Sequence, residues 1–247
     1  IWLMVVFVSG IGFCGYVLMK ILGPSQGTNL MGILGGLASS TATTISFSTA
    51  SREYPQMAQH YARAVILAST VMFPPVLLLR FGSYPPLALK VTIPFTLMVL
   101  TGLIFIFISQ RSKTPEAAAI HPTYKITNPL KLSTAVKFGL LFAFVLIVVE
   151  YSQKLLGSSG VYLASFLAGL TDVDAITLSV ARLAKNTQLS SDVAGISVMI
   201  AALMNTVSKG AISYFSGSPE LRKPVIRAFM LMVLVGAVSS GVVFLLL

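Results

Sequence analysis

The sequence predicts an all-α fold, that of a polytopic helical membrane protein. Of the 247 residues, 55% are hydrophobic and only 10% are charged, and the mean hydropathy is +0.88. Soluble domains carry about 25% charged residues, so this chain lacks the polar surface that a water-soluble fold requires. Apolar runs close to the ~20 residues that cross a bilayer recur along the whole chain. Short turns rich in Gly, Pro and Ser separate most of these runs.

Eight hydrophobic segments can be marked, in two groups of four. They cover residues 1–22, 28–50, 62–80, 88–108, 134–155, 160–184, 193–213 and 225–247. The polar stretch 110–132 divides the two groups, and we expect it to be a cytoplasmic linker. Because the chain starts inside an apolar run, we also expect it to be a fragment of a longer membrane protein.

The two groups resemble each other in sequence. LGGLASSTATTIS at residues 34–46 aligns with LAGLTDVDAITLS at residues 167–179. Identical partners lie 133 residues apart for Leu34, Gly36, Leu37, Ala42, Thr44 and Ser46. The order of turns and apolar runs is also shared, which a chance alignment of apolar sequences does not explain. We therefore predict an internal duplication, with a first repeat at 1–109 and a second at 133–247, a common construction in secondary transporters.

The basic residues test whether the repeats are parallel or inverted. If all eight segments cross, the lysines and arginines of the loops divide nine against seven, which favours neither side. If segments 28–50 and 160–184 are re-entrant, so that each enters the membrane and leaves on the same side, the loop lysines and arginines divide eleven against five. The positive-inside rule expects such a bias. That arrangement makes the repeats inverted, and we favour it, although both segments are long enough to cross. In either arrangement we expect the two segments to break, since Gly35-Gly36 weakens a helix and Ser39 and Asp172 suit the cap of a helix that follows.

Two aspartates in an apolar setting are the first candidate site. Asp172 and Asp174 lie within the segment 160–184, where a charged residue costs about 2.5–3.5 kcal/mol at bilayer depth and usually serves a function. Carboxylates and hydroxyls are typical ligands of hard cations, so both aspartates are also candidate metal ligands. The alternative is structural: Asp172 caps the helix that follows, and Asp174 faces its dipole. Other oxygen-bearing residues complete the candidate site: Ser39, Ser40, Thr41, Thr44 and Thr177.

Asn205 and Lys209 form a second pair of candidates. They are four residues apart in an apolar run and therefore lie on one face of a helix. A lysine in such a run pairs with a carboxylate or extends to the membrane interface, and the sequence leaves both alternatives open. Asp172 or Asp174 is the expected partner. The pair would leave one net negative charge, which suits a proton or monovalent cation better than a divalent metal.

Several function classes are not expected. The net charge is +10, but the basic residues lie mainly between apolar runs, where they orient membrane segments without any nucleic acid. The sequence contains no nucleotide-binding loop, zinc-ligand spacing or hydrolase elbow. We therefore expect neither enzymatic activity nor a cofactor.

Three stretches of the sequence resemble one known family: GGLASSTATTISF, GLTDVDAITLSVARLA and the opening WLMVVFVSGIGFCGYVLMKILG. It is the uncharacterised membrane domain found C-terminal to MgtC/SapB-type domains in bacterial membrane proteins, and the resemblance covers nearly the whole chain. It implies a multi-pass protein of the bacterial inner membrane with an N-terminal MgtC/SapB-type partner domain. The resemblance does not indicate a substrate.

The sequence supports two hypotheses of different classes. The first is a secondary transporter or permease for a small ion or solute, such as Mg²⁺ or a coupled proton, with its site where the two broken segments meet. The second is a non-transporting scaffold or regulator, in which caps and ion pairs consume both aspartates. The expected partners are the lipid bilayer, the small ion or solute, and a further copy of the chain.

Overall fold

The computed structural model describes residues 27–73, 85–110 and 132–246, and these ranges contain only helices and the turns between them. This confirms the all-α prediction. A short 3-10 turn, Pro55–Met57, separates the first two helices. The α-helices are α1 Gly27–Glu53, α2 Ala58–Thr70, α3 Pro85–Gln110, α4 Leu132–Gly169, α5 Asp174–Lys185, α6 Ser191–Ser216 and α7 Pro219–Leu246.

Three of the described helices are long and apolar enough to cross a membrane. They are residues Lys90–Ser109 of α3, all of α6 and all of α7. Large apolar side chains remain exposed along them, such as Phe107 at 59% and Leu234 at 59%, which a lipid environment explains. The chain is therefore a helical membrane protein. Segment 1–22, most of the linker and part of segment 62–80 lie outside the described residues.

The last helix begins earlier than expected. The last hydrophobic segment was expected to start near residue 225, but α7 begins at Pro219. Proline suits the first helical position because its missing N–H would be unpaired there anyway. Ser218 precedes it, and its hydroxyl accepts a hydrogen bond from Leu221 N at 3.4 Å. The helix then continues through Pro224.

Helix α1 is broken at Ser39, whose backbone is extended (φ −169°, ψ 102°). The part before the break runs parallel to α2, because Gly32 meets Ala64 and Gly36 meets Ala68. Residues 40–53 must therefore run back to the start of α2. Residues 27–53 thus form a helical hairpin, which we call hairpin 1, with its tip at Ser39.

The second half contains a similar hairpin. Helix α4 is interrupted at Gly157 (φ +60°, ψ −144°), a left-handed conformation that favours glycine. The chain reverses there, since Gly160 lies against the backbone of Ser152 eight residues earlier.

Residues 158–169 then run parallel to α6, since Tyr162 lies near Asp192 and Gly169 meets Ala201. Helix α5 returns the chain to its starting level, where Gln153 Nε2 donates to the carbonyl of Gln188. Residues 158–185 are hairpin 2, with its tip at 170–173.

The two hairpins lie along different halves of α6. Hairpin 2 lies along the half that begins at Asp192, and we call that side of the molecule the Asp192 end. Hairpin 1 lies along the other half: Ser48 Oγ is 3.4 Å from Ser213 Oγ, and Arg52 Nε is 3.4 Å from the Gly217 carbonyl. We call that side the Gly217 end. The hairpins thus enter from opposite ends of a helix about 39 Å long, and their tips approach its middle.

Helices α3 and α7 pack on the other side of this arrangement. Gly102 of α3 lies against Thr70, and Gly236 of α7 lies against Met98 and Leu203. Phe73 and Phe95 have ring centroids 5.2 Å apart, and both are fully buried. These contacts hold the end of α2 against α3 and the middle of α6 against α7, so the level of the hairpin tips is fixed by tight packing.

Candidate functional site

Asp172 caps helix α5 at the tip of hairpin 2. Its Oδ1 accepts hydrogen bonds from the backbone N–H groups of Asp174 at 2.6 Å and Ala175 at 3.4 Å. A carboxylate at this position satisfies amides that have no partner within the helix and meets the positive end of its dipole. The structural alternative considered for Asp172 is therefore observed.

Ser39 has the corresponding role at the tip of hairpin 1. Its hydroxyl accepts a hydrogen bond from Ala42 N at 3.3 Å. Ser39 and Ala42 lie 133 residues before Asp172 and Ala175, so the two caps join aligned positions. Thr43 Oγ1 and Thr44 Oγ1 then donate to the carbonyls of Ser39 and Ser40, each at 2.8 Å.

Tight helix contacts lie beside each tip at the same spacing. A Cβ added to Gly36 would lie 2.5 Å from Ala68 Cα, and one added to Gly169 would lie 2.7 Å from Ala201 Cα. Both residues of the second pair lie 133 positions after those of the first. At each tip a glycine therefore allows the broken helix to touch the backbone of its neighbour.

Lys209 lies where the two halves meet. Its side chain is completely buried, and its Nζ contacts Met72 Sδ at 2.7 Å. Ser40 Oγ approaches the same sulfur at 3.7 Å. Met72 thus links the tip of hairpin 1 to a lysine of α6. Lys209 does not extend to the membrane interface, so that alternative is wrong.

The expected ion pair of Lys209 is not formed. Within the described ranges, neither the Asp172 nor the Asp174 carboxyl group lies within 4.0 Å of a lysine nitrogen of α6. Both are nevertheless close enough to Lys209 for a Coulombic interaction. Thioether sulfur is a weak acceptor, so Met72 satisfies a buried ammonium poorly.

Asn205 and Ser208 hold the end of the first helix of hairpin 2. Asn205 Nδ2 donates to the Gly169 carbonyl at 3.0 Å, and Ser208 Oγ donates to the Leu170 carbonyl at 2.9 Å. Asn205 therefore lies beside the tip of hairpin 2, and its amide N–H is bound to the backbone there. Met72, its aligned counterpart 133 residues earlier, also contacts its own hairpin tip.

Asp174 and Thr177 are the polar residues of this tip that remain without partners. Among the described residues, nothing hydrogen-bonds the Asp174 carboxyl group, although the residue is half-buried. Thr177 is 7% exposed, and its Oγ1 likewise has no partner within that part of the chain. The two are three residues apart in α5 and hence share a face. Thr41, aligned with Asp174, is half-buried at the opposite tip.

The described residues do not gather a multidentate metal centre. No group of three or more His, Cys, Asp or Glu side chains in them could hold a metal ion. Burial and the nearby Arg63 lower the pKa of His60, which lies outside the tips, near the start of α2. Asp172 and Asp174 as metal ligands would need oxygen atoms from other residue types.

Residues 6–217 match a protein family described as "Domain of unknown function (DUF4010)". The match covers both hairpins and all of the candidate residues. The chain belongs to this family.

An uncharacterized protein of Aquifex aeolicus (strain VF5) is 31% identical to this DUF4010 chain over 196 residues. The similarity covers 78% of this chain and 84% of the relative. No solved structure matches the chain. These similarities establish the family and the extent of the shared domain. They do not indicate which substrate the protein binds.

Met72, which joins the two halves, was not among the predicted residues. Its thioether is the contact of Lys209 Nζ, yet methionine in an apolar run usually indicates core packing. The signal available was the repeat alignment, which pairs Met72 with Asn205. Of the predicted residues, Ser39, Ser40 and Thr44 lie at one tip. Asp172, Asp174, Thr177, Asn205 and Lys209 lie at or beside the other.

Proposed function

We propose that the protein is a secondary transporter or permease for a small ion or solute, with its site where the tips of the two hairpins meet. One observation carries this proposal: two broken helices enter from opposite ends of α6, and polar tips approach each other beside the buried Lys209. Broken helices at mid-membrane are the usual construction of transporter sites, because half-helix ends present backbone dipoles to a ligand.

We further propose that both hairpins re-enter the membrane and that the halves are inverted repeats. Arg52 and Arg222 both donate to the Gly217 carbonyl, whereas an arrangement with eight crossings would separate them. The aligned caps and the aligned glycine contacts support the duplication. Lys223 and Arg227 follow in the first turns of α7, so basic residues collect at the Gly217 end, as expected of a cytoplasmic face.

The state of Asp174 supports transport over the scaffold hypothesis. A non-transporting scaffold needs both carboxylates consumed by caps and ion pairs. Asp172 meets that requirement as an N-cap, but the Asp174 carboxyl group has no hydrogen bond from any described residue. An ionisable group that is half-buried and unpaired at this depth is typical of an ion or proton pathway.

The location and partners of the chain belong to the same proposal. We infer residence in the bacterial inner membrane, because three helices are long and apolar enough to cross a membrane and the sequence resembles bacterial inner-membrane proteins. The basic residues that collect at the Gly217 end mark the cytoplasmic face. An MgtC/SapB-type domain N-terminal to this region and association of several copies remain predictions. Co-purification of the full-length protein with a differently tagged copy tests the second of these.

The first experiment measures flux through the purified protein in proteoliposomes. Gradients of Na⁺, K⁺, Mg²⁺ and H⁺ are imposed one at a time, and currents are recorded on a solid-supported membrane. We expect a current with the wild type and its reduction by about tenfold or more in the double variant Asp172→Asn with Asp174→Asn, because intramembrane carboxylates serve ion pathways.

The control for this experiment is Glu150→Gln, which neutralises a carboxylate that pairs with Lys154 at 2.8 Å outside the hairpins. Its flux should equal that of the wild type. Unchanged flux in the double aspartate variant would contradict the proposal.

A further inference from the structure

We propose that Asp174 and Thr177 bind a small monovalent cation and that Lys209 is a built-in competitor for this site. The inference rests on the proposed function and names the class of ion. Three features of the tip of hairpin 2 support it: an unpaired carboxyl group, an unpaired buried hydroxyl, and a buried ammonium on a poor acceptor.

The ligand side consists of Asp174 and Thr177. Thr177 is 93% buried, and its hydroxyl has no partner among the described residues. It lies one helical turn from the Asp174 carboxyl group, which belongs to a half-buried residue and has no hydrogen-bond partner in the same ranges. Buried hydroxyls normally find a partner, so its absence points to a group that binds there. Carboxylate and hydroxyl oxygens are the ligands of hard cations.

The charge balance selects a monovalent ion. Asp172, Asp174 and Lys209 lie within mutual Coulombic reach, and the fully ionised cluster carries one net negative charge. One monovalent cation neutralises the cluster, whereas a divalent ion would leave it positive in a low-dielectric setting. The dipole of α5 opposes a cation at its N-terminus, but the Asp172 carboxylate is bound to those same N–H groups and offsets it.

Lys209 supplies the competition. Its ammonium contacts only a thioether in the described part of the chain, although a carboxylate would be a far better partner. The four-carbon stem of lysine is flexible, so the ammonium can move from Met72 to Asp174 when no ion is bound. A bound cation repels it back to the sulfur. Cation and ammonium thus occupy Asp174 alternately.

Two substitutions should change cation affinity in opposite directions. Lys209→Met removes the ammonium that competes with the cation for Asp174. Met72→Leu removes the sulfur that the ammonium contacts when the cation is bound, so the ammonium stays with Asp174. We expect the apparent Kd for Na⁺ or K⁺ to fall at least about fivefold in the first variant and to rise at least about fivefold in the second, the lower range of ordinary coupling between ligands.

The measurement is the melting temperature of the purified full chain, titrated with NaCl or KCl against N-methyl-D-glucamine chloride at constant ionic strength. Asp174→Asn should abolish the response, and Thr177→Val should weaken it. Thr206→Val is the matched control, because Thr206 is buried like Thr177 but its hydroxyl already donates to the Ala202 carbonyl in the same helix. A merely structural role of Lys209 and Met72 would move both affinities in the same direction, which would overturn the proposal.

Failure of this inference is distinguishable from failure of the proposed function. If Asp174→Asn abolishes flux while Lys209→Met leaves the apparent Kd unchanged, the competition is wrong and transport stands. If the affinities shift as expected while the wild type carries no flux, the cation site stands and transport is wrong. Should Lys209→Met fail to fold, Met72→Leu alone still tests the sign of the effect.

Discussion

Close contact between backbones at Gly169 has a measurable consequence for stability. A Cβ at this position would lie 2.5 Å from the Ala201 carbonyl oxygen, closer than real side chains approach. We expect Gly169→Ala to lower the free energy of unfolding by about 1–3 kcal/mol, the usual cost of overpacking. Titration of the purified protein with SDS in mixed micelles measures this change.

Gly241 of α7 is the matched control, because a Cβ there would have no neighbour within 4 Å. Gly241→Ala should leave stability unchanged or raise it by up to about 1 kcal/mol, since alanine is the better helix former. Equal effects of the two substitutions would contradict the close contact at Gly169.

Individual residues of the site could be predicted where their chemistry is local. The caps by Ser39 and Asp172 follow from the sequence, because a cap depends on only the next three residues. The contact of Lys209 with Met72 could not be predicted in this way. It joins residues 137 apart and depends on how two halves pack, which no local pattern encodes.

At the scale of elements, the capped tip of hairpin 2 separates a structural from an ionic role of Asp172. Asp172→Ala removes the acceptor for two backbone N–H groups and should destabilise the protein by about 1 kcal/mol. Asp172→Asn keeps a side-chain oxygen and should retain most of that stability. SDS unfolding of both variants checks this, and an equal loss in both would show that charge rather than the cap matters.

The positions of the breaks in the hairpins were predictable from the sequence. The direction of the chain after each break was not. The oxygen-rich stretches and Gly35-Gly36 predicted interruptions, which are observed at Ser39 and between Gly169 and Asp174. The turn at Gly157 lies in the gap between the predicted segments 134–155 and 160–184. The direction of the chain after each break depends on contacts such as Gly36 with Ala68, since hydropathy is the same whether a segment crosses or returns.

For the whole molecule, the orientation of the ends can be tested with single cysteines in a Cys14→Ser background. We expect Glu53→Cys and Lys223→Cys to react with an impermeant maleimide from the cytoplasmic side, and Gln188→Cys from the opposite side. All three residues are exposed, and the first two lie at the Gly217 end. An arrangement with eight crossings would instead put Glu53 and Gln188 on one side and Lys223 on the other. Labelling of intact and permeabilised cells distinguishes the two patterns.

The general class of the molecule was fixed by composition, while its internal symmetry rested on a short alignment. The low charge and long apolar runs predicted a helical membrane protein, and α3, α6 and α7 agree with that. The charge asymmetry of the loops favoured two re-entrant segments over eight crossing segments only modestly. The shared bonding of Arg52 and Arg222 to Gly217 is a tertiary contact, and its partners are 170 positions apart in sequence.

The short helices of hairpin 2 have a consequence for how the chain is made. Each has 12 residues, about 18 Å, which is well below the ~30 Å thickness of the hydrocarbon layer. The carbonyls exposed between them are bonded by Asn205 and Ser208, which belong to a helix that leaves the ribosome later. Before that helix is made, the hydrocarbon layer provides no hydrogen-bond donor for those carbonyls. We therefore expect this part of the nascent chain to wait at the membrane surface until α6 is inserted.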